Sequence, residues 1–205
     1  MGELEKRLLE NSLHKPLPQS WKRFIDDITF IWPHGDTHLT SFKDHLNSSH
    51  PTIKFTFVSS NTSVPFLDTL TELKNGRIET QIYSKPTDTH SYLLPTSCHA
   101  PHTFKSIPYS QAIRIRRICS TPETTNTHLC SLTHHLTDRG YNPTHISDQI
   151  DKAKLLDRTS LLTYKQKKQL IVPFVTKYYP SLHTFNQIFK DNLHLLQMSQ
   201  KHFFS

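Results

Sequence analysis

Helical and strand spacings of apolar residues alternate along the first 86 residues of the chain. Leucines near the N-terminus recur three to four positions apart and predict a short amphipathic helix within Met1–Leu13. A second helix is predicted to begin at an N-cap formed by Asp36 or Thr37 and to end near Asn47. Its apolar face is formed by Leu39, Phe42 and Leu46.

Strands are predicted between and after these helices. The runs WKRFI and ITFIW are rich in β-branched and aromatic residues, which favours a hairpin with two aspartates at its tip. Apolar residues occupy alternate positions over 53–57, which predicts a half-buried strand. The segments FLDTLTEL and RIETQIYS each predict one strand. Asn75-Gly76 lies between them and predicts a tight hairpin over Pro65–Ser84, because both residues tolerate a positive φ.

The remainder of the chain is mainly helical in its patterning. Residues 87–108 are rich in Ser, Thr, His and Pro and predict an ordered but irregular segment. Apolar residues at helical spacing then predict three helices: Tyr109–Cys119, Thr127–Asp138 and Pro143–Leu156. Pro122 is expected to interrupt the helical pattern, and Gly140 to end the second helix. A strand is predicted over residues 170–179, followed by a final amphipathic helix over Pro180–Met198.

The net positive charge of the chain limits the classes of binding partner that we expect. The chain has 205 residues and a formal net charge of +7, with a calculated pI of about 9.3. Such an excess favours a polyanionic partner, with nucleic acid ahead of an acidic membrane surface. The hydrophobic run needed to cross a bilayer, about 20 residues, is missing from the sequence, and the charged N-terminus is unlike a signal peptide. We therefore expect a soluble intracellular protein, with the nucleus among its compartments.

The two aspartates of the first hairpin are the leading candidates for chemistry. Asp26 and Asp27 are adjacent, and neighbouring anions repel unless something compensates them. Mg²⁺ is bound in proteins by one or two carboxylates together with substrate phosphates. A two-metal site for phosphoryl transfer needs at least one further carboxylate. Asp68 and Asp88 are the nearest in sequence, and Asp68 is expected in the middle of a strand.

The predicted helix Tyr109–Cys119 is rich in arginine and, with Lys105 just before it, is the leading candidate for contact with phosphates. Lys105, Arg114, Arg116 and Arg117 suit a nucleic-acid backbone, although a solvated helix face would have the same composition. The three helices with a glycine at one joint also resemble a helix-turn-helix arrangement.

A zinc site is a further hypothesis, because two Cys-x3-His pairs could supply four ligands. The chain has three cysteines, an odd number without tight spacing, which argues against a secreted disulfide framework. The four candidate zinc ligands are Cys98, His102, Cys130 and His134.

Several stretches of the chain resemble one known family. Phe24-Ile25-Asp26-Asp27 resembles the aromatic-x-Asp-Asp hairpin of reverse transcriptases, and its context WKRFIDDITFIW is similar to Penelope-like retroelements. The similarity continues, in the same order, through FLDTLTELKNGRIETQIYSKPTD, SYLLPTSCHAPHTFKSIPYSQAIRIRRICS and LTDRGY.

This resemblance implies an α+β fold, a partial right-hand polymerase palm followed by a helical thumb. Residues 1–88 would be the C-terminal part of the palm, residues 89–165 the thumb, and residues 166–205 a linker strand and amphipathic helix. The thumb region also resembles the animal helix-turn-helix domain of such elements. Asp26 and Asp27 would be the catalytic metal ligands for Mg²⁺, and no other cofactor than metal and nucleotide is implied. The Asn-Gly hairpin would match the region that positions the primer.

The segments that carry the fingers and the first palm motif in that family would precede residue 1. We therefore expect a truncated RNA-directed DNA polymerase that is inactive alone but binds the template–primer duplex, either RNA–DNA or DNA. Two alternatives stay open: a non-enzymatic helix-turn-helix DNA-binding module, and a non-functional relic.

Overall fold

The computed structural model describes residues 2–9, 15–163, 187, 188 and 190–192, and within them the chain forms helices and small antiparallel sheets. The α+β class predicted from the sequence is therefore confirmed. The elements are α1 (Gly2–Leu9), β1 (Ser20–Phe24), β2 (Asp27–Ile31), α2 (Asp36–Ser48), β3 (Ser63–Phe66), β4 (Thr69–Lys74), β5 (Arg77–Ile82), α3 (Pro101–Lys105), α4 (Ile107–Ile118), α5 (Pro122–Asp138), α6 (Pro143–Lys154) and α7 (Arg158–Leu162).

The chain divides into two compact units. The first, called here the sheet unit, contains Met1–Asp88 and Ile118–His128, and the second, the helical unit, contains Thr89–Arg117 and Leu129–Ser205. The predicted domain boundaries after residues 88 and 165 stay predictions. The strand predicted over residues 170–179 lies outside the described residues, as does the predicted final helix except for five of its positions.

The core of the sheet unit is formed by α1 and α2 with aromatic residues around them. Leu39, Phe42 and Leu46 are buried, which confirms the predicted apolar face of α2. Phe42 has no exposed surface, and the Trp32 ring stacks on it with centroids 4.9 Å apart. The predicted cap of α2 was wrong: Gly35 is the N-cap, with φ +79°, and Asp36 lies in the first turn.

The first hairpin is confirmed and is tied to α1. β1 and β2 pair from Ser20↔Ile31 to Phe24↔Asp27. The carboxylate of Glu5 accepts hydrogen bonds from Trp21 Nε1 at 3.0 Å and Arg23 Nε at 2.8 Å. Burial opposes ionisation of Glu5, but these two hydrogen bonds and the attraction of nearby positive charges together outweigh it and lower the pKa of the carboxyl.

Two of the strand predictions were wrong. FLDTLTEL is not one strand, because β3 turns into β4 through Leu67-Asp68, so Asp68 lies in a turn and the sheet has three strands. Residues 53–57 are not part of a sheet in the described structure. They alternate in burial as predicted and pack their apolar side chains on the core, but they pair with no strand.

The second predicted hairpin is confirmed as β4–β5. Asn75 and Gly76 form its turn with φ of +51° and +74°. β5 is held against the chain that follows α4: Thr80 N donates to Ser120 Oγ at 2.9 Å, and Ser120 N donates to Thr80 O at 2.8 Å. Gln81 is within 3.3 Å of His128 Nε2, and burial lowers the pKa of that imidazole.

The helices of the second half are close to their predicted positions, with two corrections. Pro122 does not interrupt a helix but begins α5, where a missing N–H costs nothing. The segment 87–108, predicted to be irregular, contains α3 and the first residues of α4. In the helical unit α4, α5 and α6 bury apolar residues at helical spacing: Pro108, Ala112, Ile115, Leu129, Leu132, Leu136, Ile146, Ile150 and Ala153.

Candidate functional site

Asp26 and Asp27 lie at the tip of the first hairpin, as predicted. Asp26 is the second residue of a two-residue turn, and Asp27 is the first residue of β2. Both are exposed, and so are their apolar neighbours Phe24 and Ile25, with 55% and 69% of their surface accessible. Ile25 has a φ of +55°, which is unusual for a β-branched residue and lets the chain reverse within two residues. The hairpin therefore presents two carboxylates and an apolar edge to solvent.

The described residues bring no further protein ligands to these aspartates. Among them, no group of three or more His, Cys, Asp or Glu side chains is arranged to hold a metal ion. Asp26 and Asp27 would thus bind a divalent cation only together with ligands from outside this part of the chain, such as nucleotide phosphates. The zinc hypothesis fails on the same observation, because Cys98, His102, Cys130 and His134 do not come together in the described structure.

Two of the predicted phosphate-binding arginines hold α4 to the chain that follows α6. Arg116 Nη2 donates to Leu156 O at 2.6 Å, and Arg117 Nε donates to Leu161 O at 3.1 Å. In return, Arg158 Nη2 donates to the carbonyl of Arg117 at 3.2 Å. We call Arg116, Arg117 and Arg158 the arginine junction. It caps the carbonyl ends of helices with cations, the arrangement that the helix dipole favours.

The members of the arginine junction differ in exposure. Arg116 is half-buried, and its Nε atom is fully covered without a hydrogen-bond partner in the structure. Arg117 is exposed, and among the described residues its terminal nitrogens make no hydrogen bond. Arg116 is therefore placed to stabilise the helical unit, and Arg117 is exposed at the end of the same helix.

The other two predicted contacts lie nearer the start of the helical unit. Lys105 is exposed at the end of α3, and its backbone carbonyl accepts a hydrogen bond from His145 Nε2 at 3.0 Å, which ties α3 to α6. Arg114 is half-buried, and its Nη1 lies 3.4 Å from Gln111 Oε1. The role of these cations in binding phosphate stays a prediction.

Sequence reasoning missed Arg158. Nothing in its local sequence marks it, because its partner is a backbone carbonyl 41 residues earlier in the chain. It also missed that Arg116 is half-buried. Among the twelve residues of α4, only Ser110 and Arg117 are exposed. Most residues of α4 are therefore buried or half-buried.

The joint between α5 and α6 is a tight turn of defined geometry. Gly140 N donates to Thr137 O at 2.9 Å, and Tyr141 N donates to Leu136 O at 3.1 Å, the two hydrogen bonds of a Schellman motif. Gly140 has a φ of +83°, so the predicted stop is confirmed. Asn142 caps α6 by accepting from His145 N. The two helices are thus joined by a short turn that residues on both sides stabilise.

The segment before α3 is fastened to this joint. Arg139 Nε donates to Tyr92 O at 2.8 Å, and the Tyr141 hydroxyl donates to Leu93 O at 2.7 Å. Burial raises the pKa of the Tyr141 hydroxyl, which is the donor in this hydrogen bond. Segment 90–95 therefore belongs structurally with the helices that follow it.

One comparison with known proteins matches this part of the chain. Residues 91–151 match the family model described as the animal helix-turn-helix domain, which confirms the predicted likeness to that domain. No curated protein and no solved structure matches the chain significantly. Among the described residues, no helix is long and apolar enough to cross a membrane. The match to residues 91–151 supports a helix-turn-helix region in this part of the chain.

Proposed function

We propose that the chain binds nucleic-acid duplexes through its helical unit. The observation that carries this proposal is the match of residues 91–151 to the helix-turn-helix family model. The net charge of +7 supports it, because a cationic protein gains affinity for a duplex by releasing condensed counterions. We expect contact with the phosphate backbone, since the exposed residue at the end of α4 is the cation Arg117.

The proposed contacts are Arg117, Lys105 and Arg114. Arg117 and Lys105 are both exposed, and among the described residues Arg117 uses only its Nε as a donor, so both can approach a phosphate without breaking the fold. Arg116 and Arg158 support this surface by fixing the end of α4 against α7. The face of α6 is less suitable, because Asp148 and Asp151 are exposed along it.

A salt series on the purified chain tests the proposal. We expect binding to a DNA duplex and to an RNA–DNA hybrid that weakens steeply with salt, since phosphate contacts release counterions. Arg117→Ala and Lys105→Ala should each weaken binding equally for all sequences and reduce the slope of log affinity against log salt by about one. Fluorescence anisotropy of a labelled duplex measures both quantities.

Lys22→Ala is the matched control, because Lys22 is an exposed cation on β1 of the sheet unit. A slope reduced as much by Lys22→Ala as by Arg117→Ala would mean that overall charge, and not the helical unit, drives binding. A preference of about 10³-fold for one sequence would instead favour a specific helix-turn-helix reader. A folded chain that binds neither duplex would contradict the proposal.

We further propose that the sheet unit derives from the palm of a Penelope-like reverse transcriptase. The exposed Asp26 and Asp27 at the tip of an aromatic hairpin support this origin, together with the resemblance of the surrounding sequence. In that family the metal supplies the charge that activates a primer end toward a deoxynucleotide. Here the two aspartates would hold one Mg²⁺ with nucleotide phosphates, and they do not complete a two-metal site by themselves.

Mn²⁺ with a deoxynucleoside triphosphate is the probe for the aspartates. We expect the metal–nucleotide complex to bind the chain, and Asp26→Asn combined with Asp27→Asn to weaken this binding by about tenfold or more, because carboxylates are the only charged ligands the hairpin offers. Electron paramagnetic resonance of Mn²⁺ measures the bound fraction. Asp36→Asn with Asp44→Asn, exposed on α2, is the control. Equal effects of the two pairs of substitutions would exclude the hairpin as the site.

A further inference from the structure

The first segment of the helical unit is basic and carries no carboxylate side chain. Residues 89–117 contain four lysines and arginines and three histidines, but no aspartate or glutamate. Residues 1–88, by contrast, contain ten basic and eleven acidic residues. The net positive charge of the chain therefore comes from the part that follows residue 88, and segment 89–117 begins that part.

Two histidines of this segment lie close in the chain to Lys105, one of the proposed phosphate contacts. His102 and Lys105 are exposed and three residues apart on α3, so their side chains are neighbours on one face of the helix. Among the described residues, the His102 ring makes no hydrogen bond. His99 is exposed just before α3, and its Nδ1 lies 3.2 Å from Ser97 Oγ, while its Nε2 has no partner in the described part of the chain. The two imidazoles are therefore accessible beside a cation.

The position of α3 does not depend on the protonation of the histidine that holds it. His145 Nε2, in the first turn of α6, lies 3.0 Å from the backbone oxygen of Lys105. A carbonyl oxygen only accepts, so Nε2 is the donor, and it carries a hydrogen in the charged ring as well. Acidification therefore leaves this hydrogen bond intact and keeps α3 in place.

The elements next to α3 bring no acidic side chain in their first turns. The titratable side chains of the preceding loop and of the first turns of α4 and α6 include Cys98, Tyr109 and His145. Neither first turn contains an aspartate or glutamate. The first acidic residue of α6 is Asp148, which lies one turn beyond His145 and is exposed. A positive charge on His102 would thus meet Lys105 before it met a carboxylate of these elements.

We propose that His99 and His102 become phosphate contacts beside Lys105 when they are protonated, so that duplex binding strengthens as the pH falls. This inference rests on the proposed function, because the duplex supplies the phosphates. Histidine is the side chain whose charge ordinarily changes between about pH 5 and 8. The ligand class is a phosphate backbone, since the segment offers cations and hydrogen-bond donors without a competing anion.

Proton uptake and duplex binding are coupled in this arrangement. Neighbouring cations on α3 repel one another in the free protein, which disfavours the charged imidazole. A phosphate between them removes this repulsion and favours the charged form, so binding takes up protons. By linkage, a ligand that promotes proton uptake binds more tightly at higher proton concentration. The affinity must therefore rise, and not fall, as the pH is lowered through the range in which histidine titrates.

Fluorescence anisotropy of a labelled DNA duplex at about pH 8 and about pH 6, each across a salt series, tests this inference. We expect binding to be about fivefold or more stronger at the lower pH for the same salt concentration. The slope of log affinity against log salt should become steeper by about one for each imidazolium that contacts a phosphate. Circular dichroism at both pH values confirms that the chain is folded.

Substitutions of His102 separate a charge effect from a structural one. His102→Gln together with His99→Gln should remove most of the gain in affinity on acidification. His102→Lys should instead raise the affinity at the higher pH and reduce the dependence on pH, because its charge does not need acid. His134→Gln is the matched control: His134 is exposed in the same unit, but the exposed Asp138 lies four residues further on the same face of α5.

The possible outcomes distinguish this inference from the function on which it rests. Equal affinities and slopes at the two pH values would overturn the inference and leave duplex binding standing. So would a gain on acidification that the double glutamine variant and His134→Gln retain to the same extent. A folded chain that binds the duplex at neither pH would contradict the proposed function itself, and the inference with it.

Discussion

Replacing Phe42 with alanine is expected to lower the free energy of unfolding by about 3–5 kcal/mol, the range for a fully buried phenylalanine. Phe42 is the centre of the aromatic cluster: Trp32 stacks on it, and Phe30 meets it edge-on with centroids 5.9 Å apart. The substitution removes these contacts and leaves a cavity. Such a loss is a large fraction of the stability of an ordinary domain. Urea unfolding followed by the fluorescence of Trp21 and Trp32, which both pack on this core, measures it.

Phe24→Ala is the matched control for this substitution. Phe24 belongs to the same unit and loses the same atoms, but 55% of its surface is already accessible at the hairpin tip. Its replacement should change the free energy of unfolding by about 0.5 kcal/mol or less, as for most surface substitutions. If the two alanine variants unfolded at the same urea concentration, the aromatic cluster would not be the core of the sheet unit.

Replacing Arg116 with alanine is the second large effect, and we expect it to lower the free energy of unfolding by about 2 kcal/mol. A hydrogen bond from a charged group contributes about 1.5–3 kcal/mol, and the half-buried side chain also loses packing. Arg116→Lys should restore only part of the loss, because an ammonium group lacks the planar fork that reaches Leu156 O. Urea unfolding followed by far-ultraviolet circular dichroism reports on the helices.

Arg117 provides the contrast within the same helix. Arg117→Ala should affect stability less, since the residue is exposed, but it should lower the salt dependence of duplex binding. Arg116→Ala should instead lower stability and leave the salt dependence of duplex binding largely unchanged. The assignment of these two roles would be wrong if Arg117→Ala destabilised the chain as much as Arg116→Ala.

Local sequence patterns were sufficient to predict the elements whose contacts are with residues close in sequence. Leu39, Phe42 and Leu46 identified the buried face of α2, and Asn75-Gly76 identified a hairpin, because in both cases local geometry decides the structure. The turn at Leu67-Asp68 was missed, since an apolar residue with positive φ has no turn signal. Its likeness to Ile25-Asp26 is the clue: both turns follow a phenylalanine, and both open with φ near +55°.

Long-range partners could not be predicted. The alternation of Ile53, Phe55 and Phe57 was recognised, but whether a strand finds a neighbour depends on the rest of the fold, and here Asn47 takes that place. The charge of Arg116 and Arg117 was equally visible, but not their partners, which lie about 40 residues further along the chain. The position of the aspartate hairpin was predictable because its two strands are adjacent.

The arginine junction has a consequence for how this chain tolerates mutation over evolutionary time. All three of its hydrogen bonds end on main-chain carbonyl oxygens, those of Leu156, Leu161 and Arg117. Every amino acid, proline included, carries that oxygen. The acceptor positions can therefore drift in sequence without losing the contact, so long as the backbone keeps its course. Selection for these hydrogen bonds therefore acts on the arginine side chains that donate them. The residues that supply the carbonyl acceptors can change while the helical unit keeps its architecture.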